Sequence, residues 1–172
     1  MLIGMRGSGK SSVGKALAKK RGCPFFDTDV IIEHVSGKTI SEIVAKDGWE
    51  AFRNLETNVC QKVGERKGSV IAVGGGAILR KENVSALKKN GIFLFLNVPL
   101  AVLVQRIQKS KRNEHRPSLT GKTIAEELQE VWEMRKNHYH QNADIVFSFK
   151  KQKGVSAQAE EILTLVHSFE NI

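Results

Sequence analysis

The octapeptide Gly4-Met5-Arg6-Gly7-Ser8-Gly9-Lys10-Ser11 satisfies G-x-x-x-x-G-K-[S/T] at every fixed position. The glycines let the backbone curl so that several N–H groups converge on one anion. A helix beginning near Lys10 adds the positive end of its dipole at the same point. Lys10 then reaches the β- and γ-phosphates of a nucleoside triphosphate, and the Ser11 hydroxyl is suited to ligate the accompanying Mg²⁺. Gly7, Ser8, Gly9, Lys10, Ser11 and Ser12 are the expected nucleotide contacts. Lys10 is also a catalytic candidate, because it would touch the phosphate that moves.

Four further groupings could act on the group that receives that phosphate. Asp27 and Asp29 flank Thr28 directly after a short apolar stretch. One carboxylate beside a phosphate site can hold hydrated Mg²⁺, which suits Asp27. The other can orient an acceptor hydroxyl and take its proton, which suits Asp29. A plain helix cap would need only one acidic residue there. Arg53 and Glu56 are neighbours if their segment is helical. The carboxylate could then fix the guanidinium fork for a substrate carboxylate, or the two could form a surface ion pair worth under about 1 kcal/mol. Leu128, Trp132, Arg135 and Tyr139 share one helix face. An arginine on that apolar stripe either meets an anion or extends its head to solvent. Gly74-Gly75-Gly76 would let backbone approach a ligand closely. No strand ends in the apolar run plus aspartate that usually completes the metal site of a phosphate-loop protein.

These groups need a frame that gathers residues 4–11, 27–29 and 74–76. Strand and helix signals alternate along all 172 residues, with no linker, repeat or low-complexity stretch. Strands are expected at 1–3, 24–26, 69–73, 92–98 and 144–149. Helices are expected at 10–20, 30–35, 82–89, 100–107, 123–139 and 156–169. Another starts at Thr39, which has capping-box spacing to Glu42, and carries the stripe Phe52, Leu55, Val59, Val63. Residues 108–122 are polar, basic and aperiodic, which reads as a long loop. The pattern predicts a three-layer α/β/α fold with a parallel, five-stranded sheet, folded as one domain over 1–172. Ligands in such folds sit at the C-terminal ends of the strands, where the phosphate loop, the aspartates and the triple glycine fall.

Composition narrows the setting. Hydrophobic residues make up 41% and charged residues 26%, an ordinary globular profile. No apolar run approaches the roughly 20 residues of a membrane helix, and the N-terminus lacks the features of a signal peptide. Cys23 and Cys60 have neither metal-ligand nor redox spacing, so buried free thiols in a reducing cytoplasm are expected. The net charge of +9 is compatible with nucleic acid, but aromatic residues are only 6% and no binding module is recognisable. Anionic small molecules explain a basic surface as well. A monomer without nucleic-acid or membrane partners is the expectation.

In order along the chain, these motifs resemble those of the shikimate kinases. The resemblance rests on residues 4–12, Phe26-Asp27-Thr28-Asp29, Phe52-Arg53-Asn54-Leu55-Glu56, Gly74-Gly75-Gly76-Ala77 and Arg116-Pro117, with Arg135 as a sixth point. It runs from Met1 to about Phe149. It implies transfer of the ATP γ-phosphate to the 3-hydroxyl of shikimate, with Mg²⁺, giving ADP and shikimate 3-phosphate for aromatic amino-acid biosynthesis. It further implies that Asp29, Arg53, Gly74, Gly75, Gly76 and Arg135 bind the acid, and that residues 30–64 form the acceptor segment. Residues 108–122 become a lid that excludes water, and Arg116 on it meets the transferring phosphoryl group. Arg106 is expected to stack on adenine and Lys151 to lie by the nucleotide. Mg²⁺ would be shared between Ser11 and Asp27, in place of the usual metal aspartate. This chain departs from the family at Trp49, where many members carry Glu, at Val44, where an aromatic is common, at Ser12, where Thr is commoner, and in a slightly long lid. Trp49 and Val44 bear on acceptor affinity. The alternatives are a gluconate or nucleoside monophosphate kinase, and, from another class, a non-catalytic nucleotide switch or nucleic-acid binder.

Overall fold

The computed structural model describes residues 1–109, 122–149 and 153–171. The strands are β1 (Leu2–Ile3), β2 (Phe25–Asp27), β3 (Val70–Ala72), β4 (Leu94–Asn97) and β5 (Ile145–Ser148). All pair in parallel in one sheet, ordered β2-β3-β1-β4-β5. Side chains alternate between the faces, as a strand's period of two requires. Leu2, Leu94 and Leu96 pack against α1 (Lys10–Arg21) and α7 (Val155–Glu170). Ile3, Phe93 and Phe95 turn to the other face. That face is covered by α2 (Thr28–Ser36), α3 (Ile40–Gly64), α4 (Lys81–Lys88), α5 (Leu100–Lys109) and α6 (Ile124–Asn142). The unbroken apolar run around β4 follows from burial on both faces.

Helix ends follow local chemistry. Gly22 and Gly37, both left-handed, stop α1 and α2. The capping box expected at Thr39 and Glu42 opens α3, and an equivalent one at Thr123 and Glu126 opens α6. Three expectations need correction. Helix α2 starts at Thr28 and not at residue 30, because Asp27 caps it. Helix α5 runs to Lys109, so Gln108 and Lys109 belong to the helix that buries Leu103 and Ile107, not to the loop. Helix α3 is kinked at Gly48, whose φ of 81° and ψ of 170° lie outside helical space. Residues 110–121 of the expected lid, with Arg116, and also Lys151, lie outside the described residues.

The sheet order changes direction about β1. After β3 the chain crosses to the far side of β1 to form β4. The crevice at such a switch point lies beyond the C-terminal ends of the strands. The phosphate loop follows β1 and the triple glycine follows β3, so these two turns lie side by side there.

Candidate active site

Between β1 and α1 the loop turns on Gly9, which caps the helix with φ 96°. Lys10 Nζ donates to the carbonyls of Gly4 at 2.8 Å and Met5 at 3.0 Å, which folds the ammonium back over the loop. From the last turn of α5, Arg106 Nη1 donates to the carbonyls of Gly7 at 3.3 Å and Ser8 at 3.1 Å. Its guanidinium also lies 5.4 Å from the Phe149 ring centroid. Holding these carbonyls outward favours the inward N–H arrangement that binds phosphate. The Ser8 side chain is 1% exposed and its Oγ has no partner among the described residues, so Ser8 serves the loop through its backbone. Ser12 is exposed on the first turn of α1, next to Ser11.

Asp27 caps a helix with one oxygen and meets Ser11 with the other. Its Oδ1 accepts from Asp29 N at 3.1 Å as the cap of α2. Its Oδ2 accepts from Ser11 Oγ at 2.6 Å. Two oxygen ligands thus meet beside the phosphate loop. Among the described residues no group of three or more His, Cys, Asp or Glu is arranged to hold a metal alone. A pair of oxygens fits Mg²⁺, which keeps several waters and takes its other ligands from substrate phosphates. Thr28, between the aspartates, is wholly buried and its Oγ1 accepts from Gly74 N at 2.8 Å. This bond ties the Asp-Thr-Asp turn to the triple glycine.

The cavity on the other side of the loop is lined by Asp29, Arg53, Gly75, Gly76 and Arg135. Arg53 Nη1 donates to Glu56 Oε2 at 2.6 Å, and Glu56 is 1% exposed. Burial pushes the Glu56 carboxyl above its ordinary range despite that guanidinium. The pair is therefore internal, unlike a solvated surface ion pair. Aromatic rings flank Arg53 as well, with Phe52 at 5.0 Å and Trp49 at 5.6 Å. Close approach explains the glycines. A Cβ on Gly76 would come within 2.5 Å of Arg53 Nη2, and one on Gly74 within 2.8 Å of both Asp29 Oδ1 and Glu56 Oε1. Gly74 lies beneath the carboxylates with its N–H on Thr28, while Gly75 and Gly76 reach the cavity wall.

Arg135 is 9% exposed on the buried face of α6, and its Nε lacks a hydrogen-bond partner among the described residues. It does not extend to solvent. A buried guanidinium with spare donors at a cavity wall favours an anionic ligand. The structure also brings in residues that the sequence had not marked as site residues: Arg6 and Glu127 line the same cavity, as does Trp49, noted above only as a departure. Val44 instead packs against the core. Tyr139, seen in sequence as part of a stripe, donates its hydroxyl to Gly75 O at 2.6 Å. No short-range pattern marks that contact. The assembled groups can hold a nucleotide's phosphates on one side and a hydroxylated anion on the other, with a carboxylate, Asp29, positioned for the hydroxyl.

Comparison with known proteins places the chain in a family. A family model described as shikimate kinase matches residues 6–167. The shikimate kinase of Nitratidesulfovibrio vulgaris is 41% identical over 142 residues, covering 83% of this chain and 81% of that protein. The structure of shikimate kinase from Acinetobacter baumannii in complex with shikimate superimposes with a TM-score of 0.90 at 35% identity, covering 97% of this chain and 91% of the other. A gluconokinase from Sinorhizobium meliloti, at 20% identity and a TM-score of 0.57, shares the fold alone. With the motifs assembled at one sheet edge and a family match across nearly its whole length, the chain belongs to the shikimate kinase family.

Proposed function

We propose that this protein transfers the γ-phosphate of ATP to the 3-hydroxyl of shikimate, releasing ADP and shikimate 3-phosphate. One observation carries the reading: a single cavity beside the phosphate loop presents two guanidinium groups, the half-buried Arg53 and the buried Arg135, together with Asp29. Two arginines suit one carboxylate, and the aspartate suits a hydroxyl on the same small ring. The Acinetobacter baumannii relative, whose structure holds shikimate, supports the choice of acid. An assay of ADP release from ATP and Mg²⁺, with and without shikimate, tests it.

In this reading the loop amides of 7–12 and Lys10 hold the β- and γ-phosphates. Ser11 and Asp27 would hold Mg²⁺, which when bound would neutralise charge on the phosphate oxygens. Arg53, Arg135 and the Gly75–Gly76 backbone fix the acid. Asp29 aims its hydroxyl in line and accepts its proton as the new O–P bond forms and the bond from the γ-phosphorus to the departing ADP oxygen breaks. Arg116 on the lid between α5 and α6 stabilises the transferring phosphoryl group, and Arg106 and Lys151 serve the nucleotide. Residues 30–64 act as the acceptor segment of a single kinase domain. Most of the rate comes from positioning and electrostatics, since phosphoryl transfer needs little covalent help from protein. We take the enzyme to be a cytoplasmic monomer that works on small anions; among the described residues no helix is long and apolar enough to cross a membrane.

The close packing of Gly76 on Arg53 gives one prediction. Gly76 has φ −99° and ψ −8°, which alanine tolerates, so Gly76→Ala acts by contact and not by backbone strain. Its methyl group displaces the guanidinium that it would otherwise meet at 2.5 Å. The KM for shikimate is expected to rise about tenfold, equivalent to about 1.4 kcal/mol, with the KM for ATP unchanged. Steady-state kinetics with each substrate varied in turn checks it.

A further inference from the structure

We infer that the hydroxyl of Tyr139 is a positioning group for acceptor binding, locking the Gly75 peptide to the helix that carries Arg135. The inference rests on the reading of the Arg53–Arg135 cavity as the acid's site.

Tyr139 is 0% exposed, and its ring lies flat on Phe95, with centroids 5.0 Å apart and planes 9° from parallel. Phe95 is fully buried on β4, an interior strand between β1 and β5. The ring is therefore fixed by packing, and its hydroxyl becomes a fixed point. That hydroxyl donates to Gly75 O at 2.6 Å, at the short end for such a bond. Burial pushes the phenol up to about 12, so it remains a donor at any working pH.

The space beside Gly75 is closed in by three groups. A Cβ on it would lie 3.3 Å from Gly4 O, 3.5 Å from Tyr139 Oη and 3.6 Å from Arg135 Nη1. The phosphate loop, the tyrosine and the arginine thus converge on one residue. A glycine has no side chain with which to fix its own peptide, and three consecutive glycines have the greatest freedom to lose. The Tyr139 hydrogen bond supplies what the sequence of that turn lacks. In a planar trans peptide the Gly76 N–H points opposite to the Gly75 carbonyl. Fixing the carbonyl on α6 therefore fixes the direction of that N–H too, in a residue against which Arg53 packs. One hydroxyl sets the relation between the backbone donors, Arg53 and Arg135, all of which face the acid.

Tyr139→Phe keeps the ring and its stack, removes the O–H, and takes away both the donor to the Gly75 carbonyl and the hydroxyl that meets the Arg135 guanidinium. The KM for the acid is expected to rise about tenfold, with the KM for ATP within about twofold and a melting temperature lower by a few degrees. Ile162→Val, a buried change on α7 remote from the cavity, provides a variant of reduced stability with an intact site. It should lower the melting temperature and leave both KM values in place. If Tyr139→Phe behaves like Ile162→Val, or raises both KM values equally, the hydroxyl has only a structural role and the inference fails. If the wild-type enzyme does not respond to shikimate at all, it is the reading of the acceptor that fails, and the same contrast is then measured with the acid that does stimulate turnover.

Discussion

Asp29→Asn lowers the turnover number by about 10²–10⁴-fold, the range associated with a positioned proton acceptor, while ATP binds as in the wild type. The substitution preserves shape. Asp29 lends its backbone N–H to the Asp27 cap, and Thr28 holds Gly74, so neither anchor is touched. What is lost is the charge that accepts the acceptor's proton. The fold should not suffer. Asp29 Oδ1 and Glu56 Oε1 both lie 2.8 Å from one point above Gly74, and the Asp29 charge contributes to the raised Glu56 carboxyl. Neutralising Asp29 relieves that repulsion, so the melting temperature is expected to hold or increase. Turnover, ATP titration and thermal unfolding on one preparation check all three statements. Near-normal turnover would remove Asp29 from its assigned role.

Arg135→Met separates function from stability still more clearly. Arg135 has a buried guanidinium on an apolar stripe with an Nε that lacks a partner. Methionine fills a similar volume without a charge. Replacing a buried, incompletely satisfied ion by an apolar residue is often neutral or stabilising, so the melting temperature should not fall. Catalysis should fall sharply. Losing one of two guanidinium groups facing a carboxylate costs about 3 kcal/mol, or roughly 100-fold in kcat/KM for the acid. Arg53 offers a less direct test, because its removal strands the buried Glu56 carboxylate and confounds binding with folding. Kinetics with the acid varied at saturating ATP, alongside thermal melts, measures both effects. An Arg135→Met enzyme with lower stability and unchanged kcat/KM would make Arg135 a structural residue.

The parts of this site that were legible in sequence are those encoded by short spacing. The phosphate loop, the Asp-Thr-Asp turn, Arg53 with Glu56, and the arginine on the α6 stripe each occupy one local element, whose geometry follows from its period. The alternation of strands and helices likewise gave the layers and the parallel sheet. Asp27 shows where reading by position poses a false choice. Cap and metal ligand looked like rivals, yet a carboxylate has two oxygens and Asp27 uses one on Asp29 N and the other on Ser11. Other features were illegible because they join distant segments. Thr28 to Gly74 and Tyr139 to Gly75 depend on the packing of α2, α6 and the β3 turn. Thr and Tyr have too many ordinary roles for type alone to reveal these. The kink at Gly48 was hidden for a related reason: an isolated glycine within a helical pattern reads as a minor cost, not as a break. The last two residues of α5 are hidden because Gln108 and Lys109 are polar, although their helix is held by Leu103 and Ile107.

The central claim is that the cavity between Arg53 and Arg135 selects a hydroxylated cyclic acid for phosphorylation. The most direct measurement follows ADP release with ATP and Mg²⁺ against shikimate, quinate, gluconate and nucleoside monophosphates in parallel. Shikimate should stimulate release far above the background hydrolysis of ATP, the other acceptors much less, and the product should carry one phosphate on the 3-oxygen. ADP release that ignores shikimate, or that responds better to gluconate or a nucleotide, would contradict the account.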